Sequence, residues 1–223
     1  DDCKIQTKIS ESIAQYVINF MKDNKIKVYD EKNNKGVLRH IVVKVGMKTN
    51  EVMCVLVVNE EKIKNEDELV KGLIDAFPEI KTVVKNVNTK NTNVILGNRN
   101  IILYGNGYIK DKLGDFIFKI SPMSFYQINP VQTEKLYNLA IQNGELSKDK
   151  VIFDLYCGIG TIGIFASKNV KKVYGIEIVP QAIEDAKENA KLNNIQNAEF
   201  MVGDVEFALS ELIEKRNIIP DVV

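Results

Sequence analysis

The chain has 223 residues, 45% of them hydrophobic, and its 30 basic side chains balance 30 acidic ones to a net charge of zero. That length allows two small domains with cores of their own, and no apolar run approaches a membrane span, so a cytoplasmic protein with no membrane partner is expected. Cys3, Cys54 and Cys157 lie far apart with no C-x-x-C pair, which excludes a visible disulfide framework and a complete metal site.

The first predicted element is an amphipathic helix over Ile9 to Asn24, with Ile9, Ile13, Tyr16, Val17, Phe20 and Met21 on one face and Ser10 or Ser12 as caps. Val37 to Val45 and Glu51 to Asn59 are β-rich runs joined by Gly46-Met-Lys-Thr-Asn50, a hairpin. His40, the only histidine, sits in the first run and is given no role. A second helix runs from Glu66 to Phe77 and is closed by Pro78. From Ile80 to Lys110 there is no acid, while Lys81, Lys85, Lys90, Arg99 and Lys110 are spread along short β-like runs. Residues 1–120 carry a net charge of +4 and residues 121–223 a net of −4, a mild hint of a polyanion partner for the first half. Residues 1–120 therefore read as a mixed α+β domain with a possible polyanion contact.

In Phe116 to Asn129 a strand ends at Ser121-Pro122, and Phe125, Tyr126, Gln127 and Asn129 crowd together before Pro130, which starts a helix to about Gln142. Aromatics and an amide suit the stacking and edge hydrogen bonds of a nucleobase or an adenosyl group. Val151 to Tyr156 is a buried strand broken only by Asp154, and Gly158, Gly160 and Gly163 follow at G-x-G-x-x-G spacing ahead of a helical run. Strand, glycine turn and helix open a nucleotide-binding α/β domain over residues 121–223. Lys172 to Glu177 makes a second strand, ending in an acid 23 positions after Asp154, where such folds place a carboxylate on ribose hydroxyls. Phe200 to Asp204 makes a third strand, again ending in an acid. A nicotinamide or flavin domain is the alternative, but a third acid fits an adenine amine at least as well as a pyrophosphate, which it would repel.

Ser121-Pro-Met-Ser-Phe-Tyr-Gln-Ile-Asn129, followed by a helix and Asp154-Leu-Tyr-Cys-Gly-Ile-Gly-Thr161, resembles the RNA (uracil-C5)-methyltransferases that use S-adenosylmethionine. Gly175-Ile-Glu177 and a helix with Asn189 and Asn193-Asn194 continue the match, which is strong from Phe116 onward and loose before it. The resemblance implies a Rossmann-like methyltransferase domain, cut short at its C-terminus, behind a central α+β domain. It implies cofactor contacts at Gln127, Tyr156, Gly158 and Glu177, and Asp204 near adenine is a general methyltransferase inference. Glu177 would take ribose hydroxyls, Tyr156 would cover an apolar face, and Gln127 would bridge the cofactor's polar end to the target base. The implied substrate is RNA, ribosomal first and transfer RNA as its rival.

The family's chemistry uses a cysteine thiolate that adds to uracil C6 and a base that removes the C5 proton. Both are expected after Val223, so no catalytic residue is assigned in this chain, which starts at Asp1 without Met and reads as cut at both ends. Taken alone, it is expected to be inactive. Cys157 is read as packing beneath the cofactor. Cys3 is a candidate last ligand of the iron–sulfur cluster that some members carry, its other ligands preceding Asp1. A methyltransferase for another nucleobase or for protein, and a non-catalytic RNA-binding module, are the other classes left open.

Overall fold

The computed structural model describes residues 6–223. Cys3, with its cluster reading, lies outside them. The chain packs as two compact units that divide between Ile109 and Lys110, earlier than the boundary expected at residue 120. The reason is visible in the second unit's core, which contains Phe116 and Phe118.

In the first unit, α1 (Lys8–Asp23) buries Ser10, Ile13, Val17 and Met21, the helical spacing read from the sequence. Its cap residue is Thr7, so Ser10 and Ser12 are not caps: Ser10 is buried, and the Ser12 hydroxyl donates to the Lys8 carbonyl at 3.1 Å. β1 (Leu38–Val45) and β2 (Val52–Val58) form the expected antiparallel hairpin. β2 is buried along its whole length, as seven consecutive apolar residues demand. α2 (Glu66–Ala76) starts with Glu66, Asp67 and Glu68, acids that favour the positive end of the helix dipole. It carries the chain to β3 (Ile80–Val87), which lies parallel to β2, and β4 (Arg99–Gly105) returns antiparallel to β3. The sheet order is β1-β2-β3-β4, with Ile13, Val17, Leu69 and Leu73 packed on Cys54, Leu56 and Val83.

The acid-free stretch is only partly a charged surface. Lys85 is 5% exposed, and its Nζ lies 2.6 Å from the Glu66 carboxylate. Pairing with Leu56 on β2 sets it on the core side of the sheet, beside the start of α2. Lys81 and Lys90 are exposed, and Arg99 pairs with Glu61 at 2.7 Å. Arg39 donates to the carbonyls of Asn88, Lys90 and Thr92, which fixes the loop between β3 and β4.

In the second unit, β5 (Ile109–Leu113) and β6 (Phe116–Ile120) pair as a two-stranded ribbon. α3 (Pro130–Asn143) starts with Pro130 at its first position and is capped by the Asn129 side chain, which accepts from Gln132 N at 3.1 Å. β7 (Val151–Leu155), β8 (Lys172–Glu177) and β9 (Ala198–Val202) form a parallel sheet in that order. α4 (Thr161–Ala166), α5 (Pro180–Leu192) and α6 (Val205–Ser210) follow these strands in turn. Val222 bridges β7 in parallel, with Phe153 N donating to its carbonyl at 3.0 Å. One edge of β7 already holds β8, so Val222 takes the other, and the strand order reverses at β7. This is the Rossmann-like arrangement that the resemblance implies, and the ligand crevice of such folds lies outside the carboxyl ends of the strands at that reversal.

A polar stripe on α5 joins the ribbon to the sheet. The Asn193 amide bonds both the N–H and the carbonyl of Ile117, at 2.8 and 2.7 Å. The Asn189 amide does the same at Lys119, accepting its N–H at 2.7 Å and donating to its carbonyl at 3.4 Å. Asp185 then accepts from the hydroxyls of Ser121 and Ser124 at 2.9 and 3.0 Å. Four residues of helix rise about 6 Å and two residues of strand about 6.7 Å, so the two spacings run in step.

Candidate functional site

The crest of the second unit's sheet is built by β7, β8 and the turns after them. Leu155 ends β7, and Tyr156 then takes a left-handed conformation at φ 59° and is 73% exposed. A non-glycine residue pays for that geometry in backbone strain, of order 1–2 kcal/mol. Cys157 N donates to the Ile176 carbonyl at 3.0 Å, tying the turn to β8. Gly158 is also left-handed, at φ 55°, and a Cβ there would meet nothing within 4 Å. Backbone geometry and an open approach together explain a glycine at this position.

Glu177 lies at the carboxyl end of β8, and both its oxygens are fixed. Oε2 accepts from Gly158 N at 3.2 Å and Oε1 from Val179 N at 3.1 Å. A carboxylate oxygen has two lone-pair positions, so each oxygen keeps acceptor capacity for a ligand hydroxyl. Asp204 caps α6, accepting from Glu206 N at 3.0 Å, and is exposed beside Phe207, itself 80% exposed.

Asp154 sits beneath the glycine turn and accepts from Gly163 N at 2.9 Å. No cation pairs with it among the described residues, and burial pushes its carboxyl up to about 7 against that one opposing hydrogen bond. Cys157 is buried in a core with Phe118 and Phe200. Burial first, then the charges of Asp154 and Glu177, pushes its thiol well above the ordinary range. Burial alone raises Cys54 to about 12. Neither thiol supplies a thiolate near neutral pH.

Gln127 is exposed within a coil over residues 121–129 that is anchored at several points. Asp185 holds Ser121 and Ser124, Tyr126 packs on Phe118 with ring centroids 6.2 Å apart, and Asn129 caps α3. The Tyr126 hydroxyl is buried with no hydrogen-bond partner among the described residues, and burial, with Asp111 and Tyr137 beside it, raises its pKa.

Glu177 thus contacts Gly158 directly, with Tyr156 two residues earlier in the same turn, at the carboxyl ends of β7 and β8; Asp204 caps the helix after the neighbouring β9, and Gln127 sits on a separately anchored coil. Sequence reading missed Asp185 as a buried anchor, although its i, i+4, i+8 spacing with Asn189 and Asn193 was a usable signal. Among the described residues, no group of three or more His, Cys, Asp or Glu side chains is placed to hold a metal ion, and no helix is long and apolar enough to cross a membrane.

Residues 146–221 match a family described as a methyltransferase domain. The whole chain is 45% identical to an uncharacterized RNA methyltransferase of Oceanobacillus iheyensis and 47% identical to one of Clostridium acetobutylicum, covering 48% of each. The chain therefore spans about half the length of the curated relatives it matches. Among solved structures it is similar to the Pyrococcus abyssi tRNA (uracil-54, C5)-methyltransferase in complex with S-adenosyl-L-homocysteine. There the TM-score is 0.73 at 29% identity, over 92% of this chain and 49% of that one. The chain is similar along its whole length to proteins named as RNA methyltransferases, and its second unit has the Rossmann-like fold of a methyltransferase domain.

Proposed function

We propose that this chain is the cofactor-binding part of an S-adenosylmethionine-dependent RNA methyltransferase that acts on C5 of uridine. The observation that carries the reading is the Glu177 carboxylate, held by two backbone amides beside the open space over Gly158. The acceptor capacity left on Glu177 suits the paired hydroxyls of a ribose. Tyr156 covers one side of that space, Asp204 offers an acceptor to an adenine amine, and Gln127 offers an amide to the polar end of the cofactor or to the base. S-adenosylmethionine, when bound, supplies an electrophilic methyl group on a cationic sulfonium, and the acids at this edge suit a cation better than a pyrophosphate. The structural neighbour's bound S-adenosyl-L-homocysteine supports the same cofactor class.

Uracil C5 needs a thiolate on C6 before it can attack a methyl group. Cys54 and Cys157 are both too buried and too weakly acidic for that step. The reading therefore assigns the nucleophile and base to the part of the relatives' length that this chain does not span. Ribosomal RNA is the proposed substrate, and the tRNA named for the structural neighbour favours transfer RNA as the second reading. Lys81 and Lys90, exposed in the acid-free stretch, are the first unit's candidates for phosphate contact.

Calorimetric titration of S-adenosylhomocysteine into the chain tests the core of this reading. Glu177→Ala is expected to weaken binding about a hundredfold, the loss of a charge-assisted pair of hydrogen bonds. Equal heats for both proteins remove Glu177 from the site.

A further inference from the structure

Gln127 belongs to a stretch without regular secondary structure, yet a cofactor contact must be held to fractions of an ångström. What holds it is the polar stripe of α5. Asp185 is 3% exposed, and no cation pairs with it among the described residues. Its Oδ2 accepts from both Ser121 and Ser124, and its Oδ1 accepts from the Gln181 amide at 3.2 Å. Ser124 Oγ in turn accepts from Ser121 N at 2.9 Å, which closes the turn on itself. For stability alone this is a poor use of a buried position, because desolvating a carboxylate against neutral donors is costly where an aliphatic side chain is not. What the carboxylate adds is direction: two hydroxyls must converge on one oxygen, and that fixes the chain three residues before Gln127.

The same helix face reaches the other half of the site. The Asn189 amide, besides bonding Lys119, donates to the carbonyl of Ile159 at 3.2 Å, inside the glycine turn. α5 itself begins three residues after Glu177. One helix therefore sets the Gln127 coil, the Gly158 turn and the strand bearing Glu177 against each other.

We infer that Asp185 is a positioning residue of the cofactor site, acting through Ser121 and Ser124 to place Gln127 opposite the glycine turn that Asn189 holds. The inference rests on the reading of Gln127 as a cofactor contact, so its test must separate the two. A double-mutant cycle does this, with S-adenosylhomocysteine titrated into four forms of the chain: parent, Asp185→Ala, Gln127→Ala and the pair. Asp185→Ala is expected to weaken binding about tenfold in the parent and less than about twofold once Gln127 is already Ala. The thermal midpoint falls by the same amount in both backgrounds, because fold support does not depend on Gln127. Asp185→Asn keeps an oxygen for both hydroxyls and is expected to restore most of the affinity. Should Asp185→Ala fail to fold, Ser124→Ala takes its place in the cycle, since Asp185 then keeps Ser121 and Gln181.

Equal losses in both backgrounds would overturn the inference and leave Asp185 as scaffold only. Gln127→Ala binding as tightly as the parent would overturn it too, and the Glu177→Ala titration then shows whether the cofactor reading survives without Gln127.

Discussion

Each unit takes a titratable side chain wholly or partly out of water, and the two are treated in opposite ways. In the first, Lys85 lies 2.6 Å from Glu66, and charge meets charge. In the second, Asp154 has one backbone N–H at 2.9 Å, and burial holds its carboxyl up at about 7. Further departures gather around Asp154: Tyr156 is strained and exposed, and Gly158 stands beneath open space. The Lys85 pair is what a fold does with a charge it needs only for itself. Unrelieved cost concentrated at the carboxyl end of one strand marks a place kept for something else, and it does so independently of any motif.

The contrast can be broken hardest at Lys85. Lys85→Ala leaves Glu66 facing a half-buried site alone and is expected to cost about 3 kcal/mol of the first unit's stability, read from urea unfolding by circular dichroism. Lys85→Met combined with Glu66→Leu should recover most of it, because a well-packed apolar pair replaces a buried ion pair at little cost. A loss under about 1 kcal/mol would class the pair with surface bridges and dissolve the comparison.

Asp154→Asn gives a smaller effect that depends on pH. In the fold, Asp154 holds its proton up to about pH 7, whereas the unfolded chain releases it near 3.8. Between those values the folded state binds more protons, so this group makes stability fall as pH rises from about 4 to about 7, then level off. Asp154→Asn should remove about 2 kcal/mol of that slope, less than full burial would give because solvent reaches the half-buried carboxylate. Urea midpoints at pH 5 and pH 7.5, compared between the two proteins, read it directly. Equal pH dependence in both would show that Asp154 is ionised throughout.

Tyr156→Asn should give the smallest change and the most instructive sign. Asparagine tolerates the left-handed conformation, so stability is expected to rise by up to about 1 kcal/mol. Cofactor affinity should fall at the same time, since the exposed ring is lost. A variant that is both stabler and a better binder would remove Tyr156 from the site.

Much of this was legible in the sequence where local pattern decides structure. The helices at Lys8–Asp23 and Glu66–Ala76, the first hairpin, and the strands before the glycine turn and Glu177 all lie within a few residues of their expected bounds. The sequence groups Lys85 with the other cations of the acid-free stretch, whereas the structure buries it. In isolation it is one lysine among several, and only the parallel pairing of β3 with β2, set by the crossover through α2, turns it toward Glu66. Asp185 escaped notice for the same reason: its partners Ser121 and Ser124 are more than sixty positions away in sequence. Glu177 was legible because a strand-end acid after a glycine turn is a local signal, whereas its two amide contacts are not.

The ring of Phe200 has a consequence for how such sequences vary. A Cβ at Gly175 would come within 2.3 Å of Phe200, and one at Gly160 within 2.9 Å. Gly175 answers to that aromatic neighbour and Gly160 both to it and to its own φ of 78°, while Gly158 answers to empty space and to its own φ. Among descendants of this chain, a smaller residue at 200 should therefore permit alanine at 175, the two positions drifting as a pair. Gly158 should drift with neither, and its loss should track the loss of ligand rather than a change of packing. Glycines that a pattern counts as equals are inherited under two separate rules.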